Sequence, residues 1–311
     1  MKKVFIDGSA GTTGLRILER LSKRSDIELI KLPEEFRKDS EARKKALNEC
    51  DIAFLCLPDA AAIEAVSMIE NENVVVLDTS TAHRTNDAWA YGFPELSEKH
   101  FKKVANAKRI AVPGCHASGF IALTYPLIEK GILDKDALLT CHSITGYSGG
   151  GKSMIAQYED EKRESLLDAP RQYALGQKHK HLPEMAKVTG LENAPIFCPI
   201  VSDFYSGMVV TIPVFKSQLK DGFGIEDIKN VYKEKYTGKI VKYQENMSEE
   251  GLISANALSF KDSMQITVEG NEDRILLIAR YDNLGKGASG AALECMNIVM
   301  GEEPDAMLDI L

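Results

Sequence analysis

The chain has 311 residues, 44% of them apolar, and a formal net charge of −8. That length suggests two cores rather than one, and the acidic balance offers nothing to nucleic acid or to an anionic membrane surface. No stretch approaches the roughly 20 apolar residues of a membrane helix, and Met1-Lys2-Lys3 runs straight into strand-like residues without the apolar segment of a signal peptide. The six cysteines stand at 50, 56, 115, 141, 198 and 295 and never as Cys-x-x-Cys. Scattered thiols of this kind fit a reducing cytoplasm and give no support to a zinc site or a redox pair. An anionic substrate would need positive charge gathered locally, against the global field.

In chain order, residues 2–7 read as a strand, 8–14 as a glycine-rich loop, and Leu15, Ile17, Leu18 and Leu21 as one face of a helix. A second strand covers 27–32 and a charged helix about 39–48. The run Asp51-Ile-Ala-Phe-Leu-Cys-Leu57 is apolar throughout, as in a strand buried on both faces of a parallel sheet. An alanine-rich helix follows over 59–70, then strands at 74–77 and 109–112 and a helix at 116–130. This alternation predicts an α/β fold, a doubly wound Rossmann-type parallel sheet. After residue 135 the pattern changes. Strands at 138–145, 208–215, 240–243, 264–268 and 275–281 are separated by one clear helix near 225–236. They predict an α+β domain with a largely antiparallel sheet. A final helix at 286–300 would pack back on the first domain. The expected division is 1–115 with 285–311 as a dinucleotide-binding domain, and 116–284 as a second domain.

The loop Gly8-Ser9-Ala10-Gly11-Thr12-Thr13-Gly14 is a variant of the dinucleotide fingerprint. Glycines permit the tight turn and close backbone approach, and a helix N-terminus offers free N–H groups to a pyrophosphate. The spacing alone is weak, and a ligand-free glycine turn is the plain alternative. Its place between the first strand and first helix strengthens the reading. The second strand leads into Lys31-Leu-Pro-Glu-Glu-Phe-Arg37-Lys38. Arg37 or Lys38 can pair with a 2′-phosphate, so NADP is expected. Both are equally readable as solvated loop charges.

In Val112-Pro-Gly-Cys115-His-Ala-Ser-Gly-Phe120, Cys115 follows a strand at the carboxyl end of the sheet and precedes a helix. Ligands bind at that end of open α/β sheets, and a helix N-terminus favours a thiolate. Cys56 and Cys141 lie inside apolar strands, and Cys198 and Cys295 also look structural. The position singles out Cys115, with a buried filler as the alternative. His179-Lys-His181-Leu-Pro-Glu184 supplies a possible base. In an extended segment both imidazoles face one way, and Glu184 suits a helix start. Histidine can take the thiol proton or give one to an alkoxide. A metal site and a solvated basic loop are the other readings of this segment; no metal is expected, since the helical His-Glu-x-x-His pattern is absent. His83, His100, His116 and His142 gain no catalytic role from spacing, although His116 adjoins the nucleophile candidate. A nicotinamide with an activated cysteine suggests interconversion of an acyl group and an aldehyde through a thioester.

These residues resemble a known family. The glycine loop, Pro113-Gly-Cys115, His179-Lys-His181-Leu-Pro-Glu184 and Asp282-Asn-Leu-Gly-Lys286-Gly-Ala-Ser-Gly290 are similar, in order and spacing over essentially the whole chain, to the N-acetyl-γ-glutamyl-phosphate reductases of arginine biosynthesis, in their shorter form. The resemblance implies NADPH-dependent reduction of a small-molecule acyl phosphate to N-acetylglutamate semialdehyde and phosphate. It places the catalytic cysteine on Cys115 and the acid/base histidine on His179. His181 and Glu184 would shape the substrate site. Ser148 and Gly149, in a loop ending at Lys152, would bind phosphate or carboxylate, and Arg84 in Asp78-Thr-Ser80-Thr-Ala-His-Arg84 would add charge there. Ser80, Asn283 and Lys286 would meet the cofactor. The second domain would build a homodimer or homotetramer. Two departures stand out: His116-Ala-Ser118 where the family commonly has Tyr-Pro-Thr, and Ser206 where a basic residue is usual. The competing readings are an aspartate-semialdehyde or carrier-linked aminoadipyl reductase of the same fold, and a dinucleotide-binding sensor without chemistry.

Overall fold

The computed structural model describes all 311 residues, which divide into two compact units. The first is Met1–Gly114 with Ala288–Leu308. It contains β1 (Lys2–Asp7), α1 (Thr12–Leu21), β2 (Ile27–Ile30), α2 (Ser40–Glu49), β3 (Ile52–Leu55), α3 (Asp59–Ser67), β4 (Val75–Asp78), β5 (Ala90–Tyr91), α4 (Glu98–Asn106) and β6 (Arg109–Ala111). The six strands form one parallel sheet in the order β2-β1-β3-β4-β6-β5.

Strand alternation explains why residues 4–6 of β1 and all of β3 are apolar. Val4, Ile6 and Phe54 point into a core that includes Ile17 and Leu21 of α1. Phe5, Ala53 and Leu55 point the other way, against Leu47 of α2 and Ala62 and Ala65 of α3. Successive side chains of a strand face opposite sides, so a sheet covered by helices on both faces must be apolar at every position. Polar side chains mark two of the helix starts. Asp39 accepts the Ala42 amide at 2.8 Å ahead of α2, and Ser97 accepts the His100 amide ahead of α4. Gly11 before α1 offers no side-chain cap.

The second unit is Cys115–Gly287 with Asp309–Leu311. It contains α5 (Cys115–Glu129), β7 (Thr140–Gly146), α6 (Gly151–Glu159), β8 (Arg171–Gln172), α7 (Leu182–Thr189), β9 (Ile196–Ser202), β10 (Met208–Phe215), α8 (Ile225–Lys235), β11 (Val241–Tyr243), β12 (Met264–Gly270) and β13 (Arg274–Tyr281). The sheet order is β11-β12-β13-β10-β7-β9-β8, with β11–β12 and β7–β9 parallel and the other pairs antiparallel. The apolar helix α5 lies against this sheet, and α8 is tied to it where the Tyr236 hydroxyl donates to the Ala122 carbonyl at 2.6 Å. On the other sheet face, Met247, Ile253 and Ala255 pack over Val209 and Ile278, while Ile144, Ile196, Phe215 and Leu276 are exposed.

α9 (Gly290–Met300) returns the chain to the first unit, where Ala291, Ala292 and Met296 join the α1-side core. It is preceded by a π-helical turn at Gly285–Ser289, so the expected helix at 286–300 is α-helical only from Gly290. The last three residues, read from the sequence as part of the first domain, fall in the second unit: the Asp309 carbonyl accepts the Asp262 amide, the Asp309 amide donates to the Asp262 carboxylate, and the Leu311 amide donates to Ser263 Oγ. α4, α6, β5, β8 and β9 escaped the sequence pattern. β9 carries Pro199 at its centre, which breaks the strand signature, and β5 and β8 are two-residue strands. No helix is long and apolar enough to cross a membrane.

Candidate active site

The glycine loop follows β1 and opens α1. Gly8 has φ +83°, and a Cβ there would stand 2.3 Å from the Cys56 carbonyl oxygen; one on Gly14 would stand 2.5 Å from the Gly8 carbonyl oxygen. These two glycines are demanded by the protein's own packing. Gly11 is not: its φ is ordinary and a Cβ would meet nothing closer than 3.5 Å. The space above it therefore suits a ligand that must approach the backbone, as a pyrophosphate does. Gly8, Ser9 and Ala10 line a cavity of about 700 Å³ that also carries Lys31, Arg37, Lys38 and Arg43. Arg37 is half exposed and 3.8 Å from Glu34. Arg43, which the sequence gave no reason to single out, bonds Asp7 at 3.0 Å and Glu64 at 3.1 Å. Thr12 and Thr13 form the first turn of α1. A glycine cradle, an uncapped helix start and a basic cavity fit a dinucleotide.

Elsewhere in the first unit, Ser80 and Arg84 are both buried. Ser80 Oγ donates to Asp78 at 2.7 Å, and the same carboxylate lies 2.6 Å from His83 Nδ1. The Arg84 guanidinium donates to the carbonyls of Val112 and Thr79, each at 2.8 Å. It thereby anchors the loop after β4 to the end of the segment that leads toward Cys115.

Cys115 is the first residue of α5 and is half-buried. Burial pushes the Cys50 thiol up to about 12 and the Cys141 thiol higher still, so these two are inert fillers. Tyr281 of β13 bonds the Cys115 carbonyl, and the residue after Cys115, His116, meets β7 and the loops before α7. His116 is buried, with Nδ1 2.6 Å from Ser143 Oγ and Nε2 2.6 Å from the Tyr173 hydroxyl. Its ring centroid lies 5.7 Å from that of His179 and 5.6 Å from that of His181. Burial, and then the neighbouring His179, lower the His116 pKa to about 3. Burial, and then Lys180, lower that of His179 to about 4. Both imidazoles are neutral at pH 7. His179 Nδ1 accepts the His181 amide at 3.2 Å, which places the ring proton on Nε2. His181 and Glu184 are buried at the start of α7, where Pro183 suits a first turn.

A second group forms around the loop after β7. Asn283 is buried; it donates to Ser148 Oγ at 3.0 Å and accepts the Gly207 amide at 2.9 Å. A Cβ on Gly149 would meet Asn283 Nδ2 at 3.4 Å. Lys286 is buried in the π-helical turn, whereas Lys152 is exposed on α6. Ser206, the family departure, is buried with no hydrogen-bond partner for its hydroxyl. In the second unit the structure thus gathers His179 and His181 around His116, the residue after Cys115, and separately Ser148, Gly149 and Asn283. Ser143, Tyr173 and Tyr281 were missed: a lone hydroxyl carries no spacing signal.

Two family models match the chain. "Semialdehyde dehydrogenase, dimerisation domain" covers residues 115–283, and "Semialdehyde dehydrogenase, NAD binding domain" covers residues 33–104. The chain is 43% identical over 307 residues to the N-acetyl-gamma-glutamyl-phosphate reductase of Brucella ovis, an alignment spanning 96% of this chain and 99% of that protein. It is 42% identical over 311 residues to N-acetyl-gamma-glutamyl-phosphate reductase 2 of Nostoc sp., spanning 96% and 97%. Among solved structures, aspartate semialdehyde dehydrogenase II of Vibrio cholerae superposes with a TM-score of 0.72 at 15% identity, covering 97% of this chain and 98% of that one. The enzyme of Candida albicans, solved with NADP, gives 0.63 at 16%, covering 96% and 98%. At such identities these two speak for the fold alone. The expected doubly wound sheet with a mixed-sheet partner domain is the observed one, and the chain belongs to the N-acetyl-γ-glutamyl-phosphate reductase family of the semialdehyde dehydrogenases.

Proposed function

We propose that the chain reduces N-acetyl-γ-glutamyl phosphate to N-acetylglutamate 5-semialdehyde and phosphate, in arginine biosynthesis, through a thioester on Cys115. The observation that carries this reading is Cys115 at the start of α5, followed directly by His116, which packs against the neutral imidazole of His179 and bonds the Tyr173 hydroxyl. The Cys115 thiolate attacks the acyl carbon; a C–S bond forms, and the C–O bond to phosphate breaks with its electron pair leaving on phosphate. When bound, NADPH supplies the hydride that takes the thioester carbon to the aldehyde level. His179, neutral and with its proton on Nε2, donates a hydrogen bond to the oxygen that gains charge in both steps and keeps that proton; the thiohemiacetal oxyanion then collapses to the aldehyde as the C–S bond breaks and its electron pair leaves on the Cys115 sulfur. His181, the N-cap of α7, and Glu184 in its first turn stand directly after this histidine.

In the same reading, Ser148, Gly149 and Lys152 offer a hydroxyl, an amide and a positive charge to the anionic groups of the substrate. Within the first unit, the cofactor rests on residues 8–14, with Ser80 as a further contact. Arg37, supported by Lys38 and Arg43 in the same cavity, favours NADP over NAD. The exposed part of the second unit's sheet face, with Ile144, Ile196, Phe215 and Leu276, suits a second copy of the chain, as the match to a dimerisation domain supports. Six free thiols suit the cytoplasm.

The test runs the reaction backwards. N-acetylglutamate semialdehyde, phosphate and NADP⁺ should give reduced nicotinamide by absorbance, aspartate semialdehyde should give little, and Cys115→Ser should abolish the signal. Turnover of aspartate semialdehyde alone would reject the substrate assignment.

A further inference from the structure

Tyr281 is the last residue of β13 and is fully buried. Its hydroxyl donates to the Cys115 carbonyl oxygen at 2.5 Å and accepts the Gly119 amide at 3.0 Å. Those two backbone groups, four residues apart, are the pair that the first turn of an α-helix ordinarily joins directly. We propose that Tyr281 is a positioning residue for the nucleophile: its hydroxyl, bonded to both ends of the first turn of α5, sets where Cys115 Sγ stands relative to the helix N-terminus. This rests on the reading of Cys115 as nucleophile.

Three observations separate this from incidental contact. A Cβ on Gly119 would stand 2.7 Å from the Tyr281 hydroxyl oxygen and 2.7 Å from Val210 Cγ2, so only glycine lets the phenol reach the helix backbone. Tyr281 is also held from behind. The adjacent Asp282 carboxylate accepts the amides of Leu284 and Gly285 at 2.7 Å and of Phe260 at 2.6 Å. The turn this builds returns to the cysteine: the Gly287 amide donates to the Asp282 carbonyl, and a Cβ on Gly287 would stand 3.1 Å from Cys115 Cβ. Tyr281 and Gly287 thus bound Cys115 from one rigid segment.

The physical consequence follows from the bridge. Pinning the residue-115 carbonyl fixes the Cα–Cβ direction of Cys115 and hence the Sγ position over the first free amides of α5. Without the hydroxyl, the first turn of α5 loses a buried bond at each of its two ends, and the Cys115 peptide is free to tilt. That tilt moves the sulfur off its place.

The test uses the full chain with Tyr281→Phe and Gly119→Ala. In Tyr281→Phe, kcat should fall by about 10- to 100-fold with little change in KM for the acyl phosphate, the scale expected of a misplaced reacting atom. The pH midpoint of iodoacetamide alkylation at Cys115, followed by peptide mass spectrometry, should rise by about half a unit, the size of a helix-terminus contribution. Gly119→Ala should shift the midpoint the same way, and the double variant should be no worse than the worse single one. A Tyr281→Phe protein with parent midpoint and kcat overturns the proposal. So does a fall in kcat with unchanged midpoint and a lowered melting temperature, which marks a structural role. A parent protein in which Cys115 is not alkylated ahead of the other cysteines overturns the nucleophile assignment itself.

Discussion

His116 Nε2 lies 2.6 Å from the Tyr173 hydroxyl, and its Nδ1 lies 2.6 Å from Ser143 Oγ. A neutral imidazole has one donor and one acceptor nitrogen, so the three groups form a single directed chain of hydrogen bonds. That chain accounts for a histidine directly after the nucleophile. It holds the Tyr173 ring 6.0 Å from that of His179, and it ties the first turn of α5 to β7.

Replacing His116 by Phe should strand both hydroxyls in a buried site. Each unmade bond costs about 1–3 kcal/mol, so urea unfolding should show a loss of about 2–4 kcal/mol. A variant within 0.5 kcal/mol (about the noise of surface substitutions) would mean the chain of bonds contributes nothing.

The same residue makes stability depend on acid. Burial lowers the folded-state pKa of His116 to about 3 and of His179 to about 4, against about 6.5 in the unfolded chain. Between those values the unfolded state binds more protons than the folded one. Stability should therefore be complete above about pH 6.5 and decline by a few kcal/mol as pH falls toward 4. Thermal melts across that range should show the decline, and His116→Phe should flatten it.

His179 should set the acid side of catalysis. His179→Asn should lower kcat by about 10²–10⁴-fold. In the parent protein, kcat/KM should show no limb at the ordinary histidine midpoint of about 6.5, because the imidazole stays neutral down to about 4. A limb near 6.5 that disappears in His179→Asn would contradict the buried, neutral assignment.

The glycine loop separates folding from ligand binding. Gly11→Ala should keep the parent melting temperature, since its Cβ meets no close atom, yet weaken NADPH binding by tenfold or more in a fluorescence titration. Gly8→Ala and Gly14→Ala should instead destabilise the fold, because each Cβ would press on backbone at 2.3–2.5 Å. Arg37→Ala should weaken NADPH binding without weakening NADH binding, which equal losses would disprove.

Periodicity and punctuation carry much of this protein. The strand-helix alternation, the glycine loop after β1, the Pro113-Gly114-Cys115 turn and the His179-Lys-His181 segment are local features, and each is legible because strand and helix periods and the residues that break them act over a few positions. The neutrality of His116 and His179 was not legible, because desolvation depends on what α7 and the sheet bring around them. Nor was the bridge from Tyr281 to Cys115, which joins residues 166 positions apart. Arg43 looked like one charge among several on α2 until the fold laid it beside Asp7. A short stretch of chain can specify a turn or a helix start. Burial, hydrogen-bond partners and pKa are properties of the neighbours, and distant neighbours exist only once the chain has folded.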